Sequence, residues 1–298
     1  MKHVTVLKEE TVKGLNIKPH GIYVDGTLGG GGHAKAIIEQ LDQGMLYAFD
    51  QDVFALEYAK RALKSDSHVT FIKANFKDMK KELNARGIDH IDGLLLDLGL
   101  SSFQIDDPSR GFSYLVDTAL DMRMDQSQLR SAKDIINTYD ERSLADIFYV
   151  YGEEKNSRKI ASLIIKKRPI ETTKALVDIC DQANKRMKGH SAKRVFQALR
   201  IAVNGELDAL ETVLLDAHDM LNPGGRLSII TFHSLEDRIV KHFYKSHSEM
   251  HVPKHMPVLP KDTTTLIVIN KKPIYPTELE MQENTRSKSA KLRIAEKK

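Results

Sequence analysis

Residues 21–33, Gly-Ile-Tyr-Val-Asp-Gly-Thr-Leu-Gly-Gly-Gly-Gly-His, constrain the fold of this chain more than any other stretch. An apolar run ends at Asp25, a glycine-dense turn follows at once, and residues 33–41 are apolar and helix-compatible. Strand, glycine turn, helix is the layout in which bare backbone closes on a ligand beside a helix N-terminus. Successive glycines cost ordering entropy, which speaks against a packing role alone; a flexible surface loop is the plain alternative.

Spacing extends the pattern. A second apolar run, 44–50, ends in Asp50, about twenty residues past the glycines, where nucleotide-binding folds set a carboxylate on ribose hydroxyls. A third, 69–75, is followed by Phe76, an aromatic suited to lie against an adenine, and a fourth, 91–97, ends in Asp97. Helix-like segments at 53–63 and 77–86 separate these runs. Apolar strands alternating with helices predict an α/β fold: a doubly wound, Rossmann-like parallel sheet with its ligand at the strands' carboxyl ends.

Two classes of ligand fit that frame. A nicotinamide dinucleotide expects Gly-x-Gly-x-x-Gly, which Gly26, Gly29, Gly30, Gly31 and Gly32 do not strictly satisfy. The carboxylate of Asp25, directly before the glycines, would oppose a pyrophosphate but favour a cation such as the sulfonium and ammonium of S-adenosylmethionine. The charge pattern tilts toward the methyl donor.

After Asp97 the alternation stops. Residues 98–131 carry turn formers, and helical patterns then dominate at 132–139, 141–149, 154–167, 173–188 and 192–203. The earlier rhythm resumes with a helix at 206–221 stopped by Asn222-Pro-Gly-Gly225, a strand at 226–232 and a helix from Ser234 to about Tyr244. Late β-like runs at 265–269 and 291–295 would finish the sheet as an antiparallel pair. The expected organisation is a discontinuous sheet domain, 1–108 and 205–298, interrupted by an all-helical domain, 109–204.

That insertion is also where basic charge collects. It holds 18 Lys and Arg against 12 Asp and Glu, and within 155–200 the tally is 13 against 3. Such a face reads as a footprint for phosphate backbone or as an ordinary solvated helical surface. The single cysteine, Cys180, rules out an intramolecular disulfide framework and suits a reducing cytoplasm. No window reaches transmembrane length, and the first residues lack a signal peptide's apolar stretch, so no membrane association and a cytoplasmic location are expected.

Methylation of cytosine at carbon 5 demands a cysteine nucleophile, and Cys180 lies on an expected helix as a small apolar residue. Methylation of an exocyclic amine needs only the amine held in line with the donor methyl and an acceptor for its hydrogen bond. Asp97 is the candidate catalytic acceptor; the alternative is that it caps the following turn. His247, His251 and His255 recur every four residues, but Pro253 and Pro257 interrupt that face, so no metal site is expected. His233 contacts substrate or caps the next helix together with Ser234.

Asp25-Gly-Thr-Leu-Gly-Gly-Gly-Gly-His33, Leu94-Leu-Leu-Asp-Leu-Gly-Leu-Ser-Ser102, Asp107-Pro-Ser-Arg-Gly-Phe-Ser113, Leu120-Asp-Met-Arg-Met-Asp125, Tyr151-Gly-Glu-Glu154, Phe196-Gln-Ala-Leu-Arg-Ile-Ala-Val-Asn204 and Phe232-His-Ser-Leu-Glu-Asp-Arg-Ile-Val-Lys241 stand in order along the chain, with Asn284-Thr-Arg-Ser-Lys-Ser-Ala-Lys-Leu-Arg293 at its close. Together they closely resemble the bacterial MraW/RsmH methyltransferases over nearly the whole sequence. The resemblance implies a class I methyltransferase sheet and an S-adenosylmethionine-dependent enzyme. It further implies methylation of N4 of one cytidine in the decoding region of small-subunit 16S ribosomal RNA, free or in the assembled subunit. It places the donor against Gly31, Gly32, His33, Asp50, Phe76, Asp97 and Gln104, the last on resemblance alone. Thr5, Ala34, Phe103 and Ser191 depart from the family's usual residues, and none of them removes a proposed polar contact. The chain lacks the Asp-Pro-Pro-Tyr form of other amino-methyltransferases, so base stacking falls to another aromatic, Phe103 or Phe112. Competing readings are a methyltransferase acting on DNA or a small molecule, and a nucleic-acid-binding protein without catalysis. Acids retained at 50 and 97 weigh against the pure binder, and the basic insertion weighs against a small-molecule substrate. The sequence does not specify an oligomeric state.

Overall fold

The computed structural model describes residues 5–63, 67–184, 189–250 and 263–298. The chain forms two compact units, Met1–Gly99 with Asp208–Lys298, and Leu100–Leu207. The expected insertion, 109–204, lies inside the second.

The first unit opens with α1 (Lys8–Leu15) and then alternates: β1 (Ile22–Asp25), α2 (Gly32–Ile38), β2 (Met45–Asp50), α3 (Val53–Ala62), β3 (Val69–Lys73), α4 (Met79–Asn84) and β4 (Ile91–Asp97). The second unit carries α5 (Ser102–Asp106), α6 (Ala132–Thr138), α7 (Glu141–Gly152), α8 (Ser157–Lys167), α9 (Thr173–Ala183) and α10 (Lys193–Asn204). After α11 (Glu206–Met220) come β5 (Leu221–Thr231), α12 (Ser234–Ser248), β6 (Leu266–Val268), α13 (Glu278–Glu283) and β7 (Lys291–Lys297).

The strands form one seven-stranded sheet in the order β3-β2-β1-β4-β5-β7-β6. Pairings from β3 through β5 are parallel, while β7 runs antiparallel to both β5 and β6. The two late β-like runs thus finish the sheet as the sequence suggested. The period of two sorts the strand side chains between its faces. Tyr23, Leu46 and Leu95 pack with Leu15 and Ile37 on one face. Val24, Phe49, Leu94 and Leu96 pack with Leu83, Leu214 and Val240 on the other. With both faces covered, β4 carries the uninterrupted run Leu94-Leu95-Leu96, as a central parallel strand should.

One boundary differs from the sequence reading. Asn222–Gly225 does end α11, but strand pairing begins before it, with Leu221 opposite Ile91, and resumes at Arg226 opposite Gly93 after a register shift. Gly224, at φ +77°, supplies the left-handed turn inside that irregularity.

The helical unit has its own core, with Leu144, Phe148, Ile160, Ile164, Leu176, Cys180, Phe196 and Leu199 all buried. Its helices start on side-chain caps: Ser131 with Asp134 for α6, Asp140 for α7 and Thr172 for α9. The helix expected at 154–167 begins only at Ser157, because buried Glu154 turns inward to accept from the Asn156 N–H (2.8 Å) and Asn184 Nδ2 (3.4 Å). Residues 185–188 of the helix expected at 173–188 lie outside the described residues, as do His251 and His255. Among the described residues no helix is long and apolar enough to cross a membrane.

Candidate active site

The glycine turn lies across the carboxyl ends of three adjacent strands, and its own backbone ties them together. The N–H of Gly26 donates to Leu95 O (2.9 Å) at the end of β4, and that of Leu28 to Phe49 O (2.9 Å) at the end of β2. The Gly29 N–H donates to Asp50 Oδ2 (2.9 Å), and the Asp97 N–H to Thr27 Oγ1 (2.6 Å). Close approach explains the composition. A Cβ on Gly26 would stand 2.5 Å from Leu96 Cδ2 and 3.1 Å from Phe76 Cβ, and one on Gly32 would overlap the Thr5 hydroxyl. Gly31, at φ +77°, caps α2 in a conformation side chains resist. The same contacts bring Phe76 beside the turn, where the sequence placed an adenine-facing aromatic.

Three acids converge on this turn. Asp50 accepts the Gly29 N–H through Oδ2 and the Asp52 N–H through Oδ1 (2.9 Å each), which leaves lone pairs on both oxygens for hydroxyl donors. Burial pushes its carboxyl up to about 6 against those donors. Asp25, fully buried, accepts only the Thr27 N–H (3.0 Å) through Oδ1, while Oδ2 has no partner. Burial, and then the Asp50 charge, lift it to about 7. Asp97 also holds a buried oxygen without a partner, Oδ1. Burial first, then the charges of Asp25, Glu236 and Glu280, lift it to about 8. Its side chain keeps 23% exposure, so one edge still meets solvent.

A cluster of carboxylates with orphaned buried oxygens calls for a cation. The sulfonium and ammonium of S-adenosylmethionine would answer that need; a pyrophosphate would not. His33 completes the group. Its ring is 4% exposed, with Nε2 3.1 Å from Val6 O and Nδ1 3.8 Å from Asp97 Oδ2.

Packing gives several further residues distinct surroundings. Phe112 is 9% exposed within the helical core and cannot stack on a base, whereas Phe103 is half-buried. His233 caps α12, accepting from the Glu236 N–H (3.4 Å), as one of its two sequence readings expected. Gln104, in the helical unit, is buried and closes a capping box with Ser101, accepting the Ser101 N–H at 3.1 Å. Arg168 is no free cation: its guanidinium holds Ile136 O (2.7 Å) and Tyr139 O at the end of α6. Cys180 is buried, and burial with nearby Glu154 and Asp181 keeps its thiol protonated. That removes the only candidate for covalent attack on a base.

Sequence reasoning missed Glu236 and Glu280, whose charges bear on Asp97, and the segment Thr5–Val6–Leu7 that covers Gly32 and His33. The Leu7 N–H donates to Glu280 Oε1 (2.8 Å), a pairing across nearly the whole chain that no local signal could reveal. It also missed the Asn75 Nδ2 to Gln51 Oε1 bond (2.9 Å) that joins the tips of β2 and β3.

A parallel sheet closed by one antiparallel strand, with acids at the tips of β1, β2 and β4 around a glycine turn, defines a class I S-adenosylmethionine-dependent methyltransferase. The sequence model of the MraW methylase family matches residues 1–298, and the chain belongs to that family. It is 58% identical to the "Ribosomal RNA small subunit methyltransferase H 1" of Acholeplasma laidlawii, covering 100% of this chain and 99% of that protein. It is 52% identical to the "Ribosomal RNA small subunit methyltransferase H" of Onion yellows phytoplasma, covering 99% and 97%. The Lactiplantibacillus plantarum protein of the same name is 50% identical, again over 99% and 97%. Among solved structures, a Streptococcus mutans protein in complex with SAH aligns at TM-score 0.47 and 14% identity over 99% of each chain.

Proposed function

We propose that this enzyme methylates the exocyclic N4 amine of one cytidine in the decoding region of small-subunit 16S ribosomal RNA, in the cytoplasm. The names of its relatives support the ribosomal RNA substrate. The observation that carries the amine chemistry is Asp97 Oδ1, a buried carboxylate oxygen without a partner at the tip of β4. An amine N–H is the donor it lacks.

The donor supplies an electrophilic methyl group. Asp50 would hold the ribose hydroxyls, Phe76 would lie against the adenine, and Gly31, Gly32 and His33 would form the turn that closes on it. Gln104 is assigned on family resemblance alone. Asp97 accepts a hydrogen bond from the amine, draws its lone pair out of conjugation and aims it at the methyl carbon. The basic residues of the helical unit grip phosphates by counterion release. The exposure of Lys155, Arg158, Lys166 and Lys193 supports that reading.

The test is to incubate the protein and labelled S-adenosylmethionine with ribosomal subunits lacking the modification, and separately with free ribosomal RNA and DNA. The methylated nucleotide is then mapped by mass spectrometry. A methyl group on cytidine N4 of the small-subunit RNA is expected. A methyl on carbon 5, or transfer to DNA alone, would overturn the reading.

A further inference from the structure

We propose that Glu280 is a positioning residue for the methyl donor: by holding the Leu7 N–H it keeps residues 5–7 seated on Gly32 and His33, and so slows the escape of bound S-adenosylmethionine. The inference rests on the reading above that the donor lies at the glycine turn.

Three kinds of contact build that seat. Thr5 packs so closely on the turn that its hydroxyl would overlap any Cβ placed on Gly32. The Val6 carbonyl accepts from His33 Nε2 at 3.1 Å. Val6 and Leu7 bury their side chains in a cluster with Ile230, Ala290, Leu292 and Ile294. Residues 5–7 therefore form a wall against two of the residues assigned to the donor.

Leu7 is where this wall is held under strain. Its backbone is left-handed, at φ 47° and ψ 39°, a conformation that leucine resists, and the residue is fully buried. Strained backbone persists only where the surroundings over-determine it, and it gathers at ligand clamps. The Leu7 carbonyl is committed to α1, accepting the Thr11 N–H at 2.9 Å. Its N–H is held from outside the segment, by Glu280 Oε1 at 2.8 Å.

Glu280 forgoes a local bond to make this one. Thr277 caps α13 by accepting the Glu280 N–H (3.2 Å), and a glutamate three residues past such a cap ordinarily returns its side chain to the cap's own N–H. Here the carboxylate leaves its helix for a residue 273 positions away. Its charge also reaches the site, being one of those that bear on Asp97. A carboxylate that anchors the wall and adds negative charge to the acid cluster favours a cation kept at the turn.

Glu280→Ala and Glu280→Gln isolate the anchor, since glutamine keeps an acceptor for the Leu7 N–H and alanine does not. Stopped-flow displacement and calorimetry should show Glu280→Ala releasing S-adenosylmethionine about ten-fold faster, with a matching loss of affinity. Methylation at saturating donor should fall less than donor affinity does, so that KM for the donor carries most of the effect. Glu280→Gln should restore most of the affinity. Amide exchange gives a reading free of activity: SAH should slow exchange at Leu7 in the wild-type protein, and Glu280→Ala should exchange there rapidly. Unchanged donor release in Glu280→Ala despite rapid Leu7 exchange would make the bond purely structural and overturn the proposal, as would a Glu280→Gln variant no better than Glu280→Ala. If Glu280→Ala does not fold, the wild-type exchange decides alone, and no slowing at Leu7 by SAH overturns the proposal. Asp50→Ala keeps the two readings apart. If it too leaves donor affinity unchanged, the donor does not lie at the turn and the wall falls with that reading; if it weakens binding and Glu280→Ala does not, only the wall falls.

Discussion

The two units differ in how completely they pair their buried polar groups. In the helical unit Glu154, Asn184 and Arg110 are buried and each is tied to named partners, Arg110 to the carbonyls of Arg123 (3.0 Å) and Met124 (2.9 Å). Asn204 similarly joins Met122 O and the Met124 N–H. Among the described residues, the buried side-chain atoms left without a partner all fall in the sheet unit, Asp25 Oδ2 and Asp97 Oδ1 among them. A folded chain tolerates such atoms where a ligand will complete them, because an unpaired buried charge is otherwise destabilising. The helical unit pairs its buried polar side chains with its own residues; in the sheet unit the orphaned oxygens of Asp25 and Asp97 lie at strand tips beside the glycine turn.

The largest expected effect breaks or confirms that contrast at Asp97. Asn keeps the shape and one acceptor but loses the charge. Asp97→Asn should lower single-turnover methylation by about 10²- to 10⁴-fold, with a smaller loss of donor affinity. Rapid-quench kinetics beside calorimetry check this; equal losses in both would make Asp97 a donor ligand alone.

Next in size is a pH effect confined to the sheet unit. The carboxyls of Asp25 (about 7) and Asp97 (about 8) sit above their ordinary value, so between about pH 4 and pH 8 the folded protein holds protons the unfolded chain has released. Stability of the donor-free protein should therefore fall as pH rises through that window, by on the order of a few kcal/mol. S-adenosylmethionine, a cation, should bind more tightly and offset more of the loss toward pH 8. Melting curves at pH 5 and pH 8.5, with and without donor, read both signs. A donor-free protein that gains stability across the window contradicts the assignment of uncompensated acids.

Asp50→Ala should weaken donor binding by about 1.5–3 kcal/mol, the usual contribution of a hydrogen bond to a charged acceptor. Isothermal calorimetry on the folded variant is the check, and an unchanged affinity removes Asp50 from the ribose.

The smallest effects sharpen the helical side. Arg168→Ala should destabilise that unit by about 1–3 kcal/mol, since it strands the carbonyls of Ile136 and Tyr139. Lys166→Glu with Lys167→Glu should leave stability nearly untouched and flatten the salt dependence of RNA binding by roughly two phosphate contacts. Urea melts and filter binding at several salt concentrations separate the two. An unchanged salt slope would mark these lysines as a solvated face.

Much of this was legible in the chain itself. Alternation of apolar runs with helical segments announced the sheet, and each run's last acid, at 25, 50 and 97, fell at a strand tip because a parallel strand's carboxyl end is where polar side chains meet the ligand cleft. What local pattern could not carry was partnership at long range. Nothing near Glu280 says that it will hold the Leu7 N–H. Basic residues looked alike in sequence, yet Arg168 serves carbonyls while Lys166 faces solvent. Phe112 and Phe103 differ by burial alone, which depends on how the helices pack.

The position of β7 has a bearing on how the protein assembles. It is the last strand in sequence, yet it lies between β5 and β6. The short β6 therefore has no edge to join until the residues after it have folded back and docked on β5. The sheet's far side closes in reverse of synthesis, and until then the β5 edge is open to any other extended chain. Protection of that edge therefore waits on the arrival of Leu292 and Ile294 beside Ile230 and Ser228.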